Sequence, residues 1–398
     1  MVIRGRKLVP AAGALLTASP VHNAVLHAPR LRLPKPPRRR PLVNHIHIGH
    51  HFFGAGNLGD DLMLAGFLGA VPGGVSGTRF TCCIPWDRAA MRLRFPAVEW
   101  LPYDAANRAR CIAECDAWLG LGDTPFQTSV GDWMLDHLLQ EAQLCAGSRK
   151  RMVYLCVGVN DVAAARHAKT ASLVRQAAHI WTRDAASAAM LREAVPESRL
   201  TIGSDLAHLW LSRQRFADST SGDFGVVLNF ENSAQYTVPA LDRLMTSLAA
   251  RFQPRWLAQE VRDLAGSECS VYPQLDARVR GSVPLVMPDY ANAASAQELL
   301  AAWGVPEFML TSRYHAALIG AWMGSRVAVF PRSEKVRSAM TELRLAGIAD
   351  MTDTAAAAAS AIAAEPASRV LLQEHAALAQ RCCDEAWRSI LAVPGRGG

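Results

Sequence analysis

The sequence predicts an α/β protein built from two doubly wound, Rossmann-like domains that face a cleft. Short apolar runs of strand length alternate with longer segments of helical pattern, which is typical of parallel sheets covered by helices on both faces. A polar segment at 211–223 interrupts the alternation, and a second alternating block follows it. The length of 398 residues and an apolar content of 50% suffice for two cores of this kind.

The first block is assigned to an N-terminal domain of residues 42–220. Its strands are expected at 44–48, 80–84, 117–121, 152–157, 179–182 and 200–202. Its helices are expected at 60–70, 105–115, 133–146, 170–177 and 185–194. Each expected strand is short and apolar, as strands buried on both faces are.

The second block is assigned to a C-terminal domain of residues 221–392. Its strands are expected at 224–230, 255–258, 283–286, 308–311 and 327–330. Its helices are expected at 238–252, 295–303, directly after Arg313, and at 335–345. The alanine-rich segment 353–369 is low in complexity, and a last helix near 370–391 is expected to fold back across both domains.

Residues 1–41 form a basic, proline-rich arm that is expected to be disordered. The chain has a net charge of +7, and nine positive charges fall within residues 1–40, so the remainder carries a net charge of −2. A near-neutral body gives no reason to expect nucleic-acid binding. The arm is open to three interpretations: a solvated tail or start-site error, a weak targeting signal, or peripheral attraction to an anionic membrane.

The nine cysteines show neither a CxxC ladder nor an even disulfide framework, so reduced thiols and a cytoplasmic protein are expected. His45 and His47 alternate on one expected strand, but no carboxylate or cysteine completes a ligand set with them. We therefore expect no metal and no cofactor.

An arginine and a histidine begin an apolar helical stretch near residue 313. Thr311 and Ser312 are favourable N-cap residues, so Arg313 and His315 are expected in the first turn. Free N–H groups and the positive end of the helix dipole favour anions there, and an arginine fork adds a bidentate contact for phosphate or carboxylate. The alternative is that both residues merely begin a core helix.

A glycine-rich turn lies between the first expected strand and the first expected helix. Gly54, Gly56 and Gly59 allow backbone N–H groups to approach a ligand closely. The spacing is not that of a dinucleotide-binding loop, and Asp60-Asp61 would repel a pyrophosphate.

Together, these motifs resemble the polysaccharide pyruvyl transferase family over roughly residues 45–345. The matching residues, in the family's order, are Gly56-Asn57-Leu58-Gly59-Asp60, the loosely matched turn 118–127, the strand 153–159, Arg183-Asp184 with Ser187 and Leu191, Gly203-Ser204-Asp205, Ser312-Arg313 with His315, and Lys335-Val336-Arg337. The chain departs from the family at Asp123-Thr124, where further glycines are usual.

The resemblance implies a glycosyltransferase-B-like fold and transfer of a pyruvyl or enolpyruvyl group from phosphoenolpyruvate to a sugar. The acceptor would be a cell-surface polysaccharide or its lipid-linked precursor, on the N-terminal side of the cleft. The donor would bind the C-terminal side through Ser312, Arg313, Lys335 and Arg337. A solvated helix start is the alternative for the last two.

His315 is expected to act as the general acid and Asp60 to accept the proton of the sugar hydroxyl. A helix cap is the alternative role of Asp60. Gly56, Asn57, Gly59 and Asp123 are expected to line the substrate site. Asp205 and Glu231 are isolated candidates.

Two other functions remain open on the sequence. The same architecture serves nucleotide-sugar glycosyltransferases, although no Glu-x-x-Glu-like pattern for ribose follows Arg313. A non-catalytic relative of the same fold is the other alternative.

Overall fold

The computed structural model describes residues 45–49, 52–72, 74–75, 77–129, 131–230 and 233–391. The basic arm at 1–41 and the candidate Glu231 lie outside the described residues. Within the described part of the chain, no helix has the length and apolar character needed to cross a membrane.

The first domain is a seven-stranded, all-parallel sheet with helices on both faces. Its strands are β1 (His45–Ile48), β2 (Arg79–Ile84), β3 (Val98–Pro102), β4 (Ala117–Leu121), β5 (Arg151–Val157), β6 (His179–Thr182) and β7 (Leu200–Ile202). Its helices are α1 (Leu58–Ala70), α2 (Arg88–Arg94), α3 (Ala105–Glu114), α4 (Trp133–Gly147), α5 (Val162–Arg166), α6 (Ala168–Gln176), α7 (Ala185–Leu191) and α8 (Ala207–Leu211). The strand order is β3-β2-β1-β4-β5-β6-β7, so the chain reverses its direction of winding between β1 and β4.

The second domain repeats this plan with six parallel strands. They are β8 (Thr220–Val227), β9 (Gln253–Leu257), β10 (Leu285–Val286), β11 (Pro306–Thr311), β12 (Arg326–Val329) and β13 (Ala346–Gly347). The helices are α9 (Val238–Ala249), α10 (Glu268–Val271), α11 (Ala277–Ser282), α12 (Ala296–Ala301), α13 (Tyr314–Met323), α14 (Glu334–Glu342), α15 (Thr354–Ala363) and α16 (Arg369–Leu391). The order β10-β9-β8-β11-β12-β13 reverses between β8 and β11.

The predicted fold class is confirmed, with two parallel sheets and alternating helices. Several elements were missed because they are short or lie at sheet edges. β3 ends at Pro102 and occupies the edge of the first sheet, where a proline is tolerated. The polar segment was predicted to extend to residue 223, but β8 already begins at Thr220. The alanine-rich, low-complexity segment contains α15.

The two sheets are joined by a shared core and by the last helix. One apolar cluster runs from Ile46 in β1 through α1 to Met309 in β11 and Trp322 in α13. α16 packs against β5, α1 and α8 of the first domain and also against α13 of the second.

Candidate functional site

The loops that follow the strands of both sheets meet in one cavity. In open parallel sheets, ligands bind beyond the carboxyl ends of the strands, where the order of strands reverses. Loops from both reversal points line this cavity. The loops after β1 and β4 come from the first sheet, and the loop after β11 comes from the second. The cavity is lined by Asn57, Asp60, Asp123, Arg183, Gln259, Arg313, Tyr314, His315, Arg332 and Lys335.

His315 faces a buried carboxylate that the sequence left as an isolated candidate. Its Nε2 lies 3.4 Å from Oδ2 of Asp205, while Oδ1 of Asp205 accepts the backbone N–H of Ala207 at 2.8 Å. Burial alone would raise the pKa of Asp205, but His315 and Arg183 outweigh it and hold the pKa below its usual value. An ionised carboxylate therefore orients the imidazole, as in other histidine–carboxylate pairs.

Gly59 lies directly against the His315 ring. A Cβ built at Gly59 would overlap His315 Nδ1 and Cγ, so only glycine allows α1 of the first domain to approach α13 of the second this closely. Gly59 therefore belongs to the site by close packing, with no need for a ligand contact of its own.

Arg313 does not have a free guanidinium. Its Nε and Nη2 donate to the two carboxylate oxygens of Glu268 at 2.7 and 2.9 Å, and Glu268 is fully buried. The predicted anion contact through Arg313 therefore competes with a bidentate internal partner. Sequence reasoning missed Glu268, since no local pattern links it to a residue 45 positions away.

The predicted capping by Ser312 is wrong. Helix α13 starts at Tyr314 with Arg313 at the N-cap position, and Arg313 makes no side-chain capping bond. The Ser312 hydroxyl instead donates to the carbonyl of Asn229 at 2.6 Å and accepts its N–H at 2.7 Å. Ser312 thus joins β8 to β11, because those polar groups of Asn229 need partners at the buried strand ends.

Lys335 brings a positive charge to the cavity. It forms no ion pair with any residue that the structure describes. Burial, followed by the nearby charges of Arg183 and Arg332, lowers the pKa of Lys335 to about 8. Bringing a negative charge into this end of the cavity would relieve the repulsion among these cations.

Arg183 belongs to the same cationic group although its side chain is almost fully buried. Its Nε donates to Asp184 at 3.2 Å, and its guanidinium lies 4.6 Å from the centre of the Tyr314 ring. Its Nη2 has no hydrogen-bond partner among the described residues, so one donor remains for a ligand. In the sequence, Arg183 stands out only as part of the Arg183-Asp184 motif.

Arg337 is not brought to the cavity. Its side chain is exposed and pairs with Glu334 of the same helix at 3.4 Å. Lys335 and Arg337 are two positions apart on α14, and residues with this separation do not share a helix face. The alternative of a solvated helix start therefore describes Arg337.

Asp60 lies in the cavity among other carboxylates. It is 6% exposed and accepts no hydrogen bond from the described residues. Burial, followed by the charges of Asp123 and Glu260, raises the pKa of Asp60 well above its ordinary value. This environment disfavours the negatively charged form of the carboxyl group.

The helix cap that was the alternative role of Asp60 is supplied by Asn57. Its Oδ1 accepts the N–H of Gly59 at 3.1 Å and the side-chain amide of Gln259 at 3.1 Å. Gly56 has a φ of +95°, and its carbonyl accepts the N–H of Val261 at 2.9 Å. This turn therefore binds the two domains to each other, and only Asn57 of the pair lines the cavity.

Asp123 lines the cavity from a strained turn. Its φ of +58° is unusual for a residue other than glycine, and its carbonyl accepts the N–H of Gly158 at 2.7 Å. Asp123 stands where further glycines are usual in the pyruvyl transferase family, and its backbone adopts a conformation that glycine also favours.

A metal ligand set is absent from the described residues, in which no group of three histidine, cysteine or acidic side chains is arranged to hold an ion. His45 and His47 both face the hydroxyl of Thr81, at 2.8 and 3.0 Å.

No model of a known protein family matches the chain, and the comparison with curated proteins gives no match. Solved structures, by contrast, are similar along nearly their whole length. A UDP-GlcNAc 2-epimerase from Neisseria meningitidis, bound to UDP-GlcNAc, gives a TM-score of 0.57 at 9% identity, covering 87% of this chain and 99% of its own. A glycosyltransferase from Rickettsia africae gives 0.54 at 9% identity, covering 89% and 100%.

Anabaena Alr3699/HepE, in complex with UDP and glucose, gives a TM-score of 0.51 at 12% identity, covering 88% of this chain and 97% of its own. None of these three structures is a pyruvyl transferase, so the resemblance to that family stays a prediction. At such low identities the similarity establishes architecture alone. The chain has the two-domain, glycosyltransferase-B-like fold.

Proposed function

We propose that the protein is a sugar-modifying enzyme that binds a phosphate-bearing donor in the cavity between its domains. One observation carries this proposal. His315, which is paired with the buried carboxylate of Asp205, lines the same cavity as Lys335, which has no anionic partner among the described residues. Acid–base groups beside an anion site are what transfer from, or rearrangement of, a phosphorylated sugar donor requires.

The residues divide the chemistry between them. His315 transfers the proton at the reacting centre, and Asp205 holds its imidazole in position. Asp60 brings a second carboxyl group to the cavity for a proton transfer or a hydrogen bond. Lys335 and Arg183 neutralise the negative charge that grows on a departing phosphate.

A nucleotide sugar is the first candidate donor. The neighbours in fold include an epimerase bound to UDP-GlcNAc and a protein in complex with UDP and glucose. The cavity lies at the strand-order reversals of both sheets, where this architecture offers helix N-termini to phosphates.

Phosphoenolpyruvate is the second candidate donor, and a specific observation favours it. The Asn57–Asp60 turn and the Arg313–His315 turn, which carry the resemblance to pyruvyl transferases, line the same small cavity. In ketal formation, two sugar hydroxyls bond to C2 of phosphoenolpyruvate and the bond from C2 to the phosphate oxygen breaks. One hydroxyl proton goes to the methylene carbon, and the other leaves with phosphate.

Binding and product release distinguish the two donors. We would titrate the protein calorimetrically with UDP, UDP-GlcNAc, phosphoenolpyruvate and phosphate, and then assay release of UDP or of phosphate with sugar acceptors present. Lys335→Met should abolish donor binding, whereas Lys169→Met, which removes a surface lysine paired with Asp132 and Asp136, should not. Absence of binding by every donor would refute the proposal.

A further inference from the structure

One buried side-chain oxygen at the cavity has no hydrogen-bond partner. Gln259 lines the cavity, and its side chain is almost completely buried, at 2% exposed. Its Oε1 receives no hydrogen bond from any residue that the structure describes. Buried polar atoms nearly always have a partner in folded proteins, because leaving one unpaired is costly. The donor for this oxygen is therefore expected from a molecule that enters the cavity.

The orientation of the Gln259 amide is fixed by a chain of hydrogen bonds that begins at a backbone group. The N–H of Gly59 can only donate, so the Asn57 atom that it meets at 3.1 Å is the oxygen Oδ1. The same oxygen lies 3.1 Å from the Gln259 amide, which must therefore present Nε2 to it. Exchanging the two ends of the Gln259 amide would set two oxygens against each other. Oε1 is thus the atom left without a partner, and it can only accept.

Gln259 is also held in place by its backbone. Its carbonyl accepts the N–H of Leu58 at 3.0 Å, and the N–H of Val261 donates to the carbonyl of Gly56 at 2.9 Å. These bonds join the segment after β9 to the turn before α1, so that a residue of the second domain is fixed against the first. An acceptor that is already held in position loses little freedom when a donor binds to it.

The surroundings of Gln259 disfavour an anionic partner. Glu260 follows it directly, and Asp60 lines the same cavity. Arg262 pairs with Glu260 at 2.6 Å. Burial and the charges of Asp123 and Glu260 nevertheless raise the pKa of Asp60 well above its ordinary value. A fully ionised phosphate or carboxylate has acceptor atoms alone and would add to the negative charge, so a neutral group with a proton to donate suits Oε1 better.

The cavity also contains a donor with the opposite requirement. Arg183 lines it, and its buried Nη2 has no hydrogen-bond partner among the described residues. Phosphate oxygens can accept from Arg183, but they offer nothing to Gln259. A phosphate group together with a sugar hydroxyl satisfies both atoms.

We propose that Gln259 is a specificity-determining residue whose Oε1 accepts a hydrogen bond from a sugar hydroxyl. The inference rests on the proposed function, which places a phosphate-bearing donor in this cavity. The hydroxyl belongs either to a sugar joined to that phosphate or to a separate acceptor sugar beside it. The recognised group is the same in both cases.

Calorimetric titration with matched probes tests the inference. Methyl phosphate is a phosphate ester without a hydroxyl group, whereas the 1-phosphates of glucose, galactose, mannose and N-acetylglucosamine carry the same ester with hydroxyls. We expect at least one sugar phosphate to bind about tenfold more tightly than methyl phosphate. This preference should disappear in Gln259→Met, while the affinity for methyl phosphate stays the same.

A second series distinguishes the two sources of the hydroxyl. It uses the methyl pyranosides of the same four sugars, titrated with methyl phosphate at saturation. Binding that depends on Gln259 in the first series assigns the hydroxyl to the donor, and binding that depends on Gln259 in the second series alone assigns it to the acceptor.

A second variant separates recognition of the hydroxyl from packing. Gln259→Glu keeps an acceptor oxygen but loses the Nε2 donor to Asn57, as Gln259→Met does. Its added charge weakens both members of a probe pair, so the preference for the sugar should survive in Gln259→Glu. A role in packing alone would abolish the preference in both variants. The control Gln274→Met removes an exposed glutamine that donates to the Ser270 carbonyl at 2.8 Å, and it should leave all affinities unchanged.

The wild-type protein provides a test without any substitution, which also covers failure of Gln259→Met to fold. Fluorine cannot donate a hydrogen bond, so one deoxyfluoro analogue of the preferred sugar should bind about tenfold more weakly than its parent. The inference is overturned if no sugar is preferred in either series, if the preference persists in Gln259→Met, or if every deoxyfluoro analogue binds like its parent. Failure of methyl phosphate and of every sugar phosphate to bind would refute the proposed function, and the inference with it.

Discussion

Replacing Arg313 with methionine removes one partner of a buried ion pair, and we expect the folded state to lose stability. Arg313 contacts both carboxylate oxygens of Glu268, whose side chain is 0% exposed while that of Arg313 is 13% exposed. Methionine fills much of the same volume but leaves the Glu268 carboxylate buried without its counter-charge. Desolvation of that unpaired charge, more than the lost attraction, determines the penalty.

The expected loss is about 3–5 kcal/mol, as for other buried pairs broken on one side. That is a large part of the roughly 5–15 kcal/mol that stabilises a folded protein. The double variant Arg313→Met/Glu268→Gln removes both charges and should recover most of the loss. Arg337→Met breaks an exposed pair with Glu334 and should cost no more than about 1 kcal/mol.

Urea unfolding followed by tryptophan fluorescence measures all four proteins, and the slopes must agree for the comparison to hold. The same samples are then titrated with the donor. If Arg313→Met is no less stable than Arg337→Met, or if the double variant is no more stable than Arg313→Met, Glu268 is not the partner that satisfies Arg313. Arg313 would then be available to a ligand, as the sequence first suggested.

Four further outcomes are expected. Gly59→Ala inserts a methyl group against His315 and should lower the free energy of unfolding by about 1–3 kcal/mol. The control Gly147→Ala, at a position with open space, should be tolerated. Equal stability of the two variants would contradict the close contact between Gly59 and His315. His315→Gln should lower turnover by about 10²–10⁴-fold while donor affinity changes little, and a change of only a fewfold would leave His315 as a packing residue. Affinity for sulfate, whose charge is constant, should fall as pH rises through about 8, because the Lys335 ammonium loses its proton there. Calorimetry at two pH values should show the same sulfate affinity at both in Lys335→Met. Removing residues 1–40 should reduce salt-sensitive co-sedimentation with anionic vesicles without changing the melting temperature, and equal, negligible binding by both proteins would contradict a membrane role.

The sheets were predictable because parallel strands that are buried on both faces appear in the sequence as short apolar runs. β4 and β6 were placed at their observed bounds, since Ala117–Leu121 and His179–Thr182 are apolar segments bordered by polar ones. β13 and α10 were missed for the opposite reason. They comprise two and four residues, too few for a periodic pattern to stand out from the surrounding loops.

The site was predictable only where its residues lie in motifs. Asn57, Asp60, Asp123, Arg313, His315 and Lys335 were named from the sequence and do line one cavity. Glu268 was not found, and Asp205 was found without its role, because each acts through a partner that is distant in the chain. Such pairs form only when distant parts of the chain pack together. The spacing of residues along the sequence does not show which of them will meet.

This division between the domains has a chemical consequence. His315 belongs to α13 of the second domain, whereas Asp205 follows β7 of the first, and 3.4 Å separates their side chains. The Asp205 loop is fixed by the last helix, since Ser204 and His375 meet at 3.0 Å. Gly59 allows the closed approach from the other side. Opening the cleft to admit a substrate would therefore remove the carboxylate from the histidine. The imidazole would regain its orienting partner only when closure has excluded water from the donor, so that the closed state alone has a complete acid–base pair.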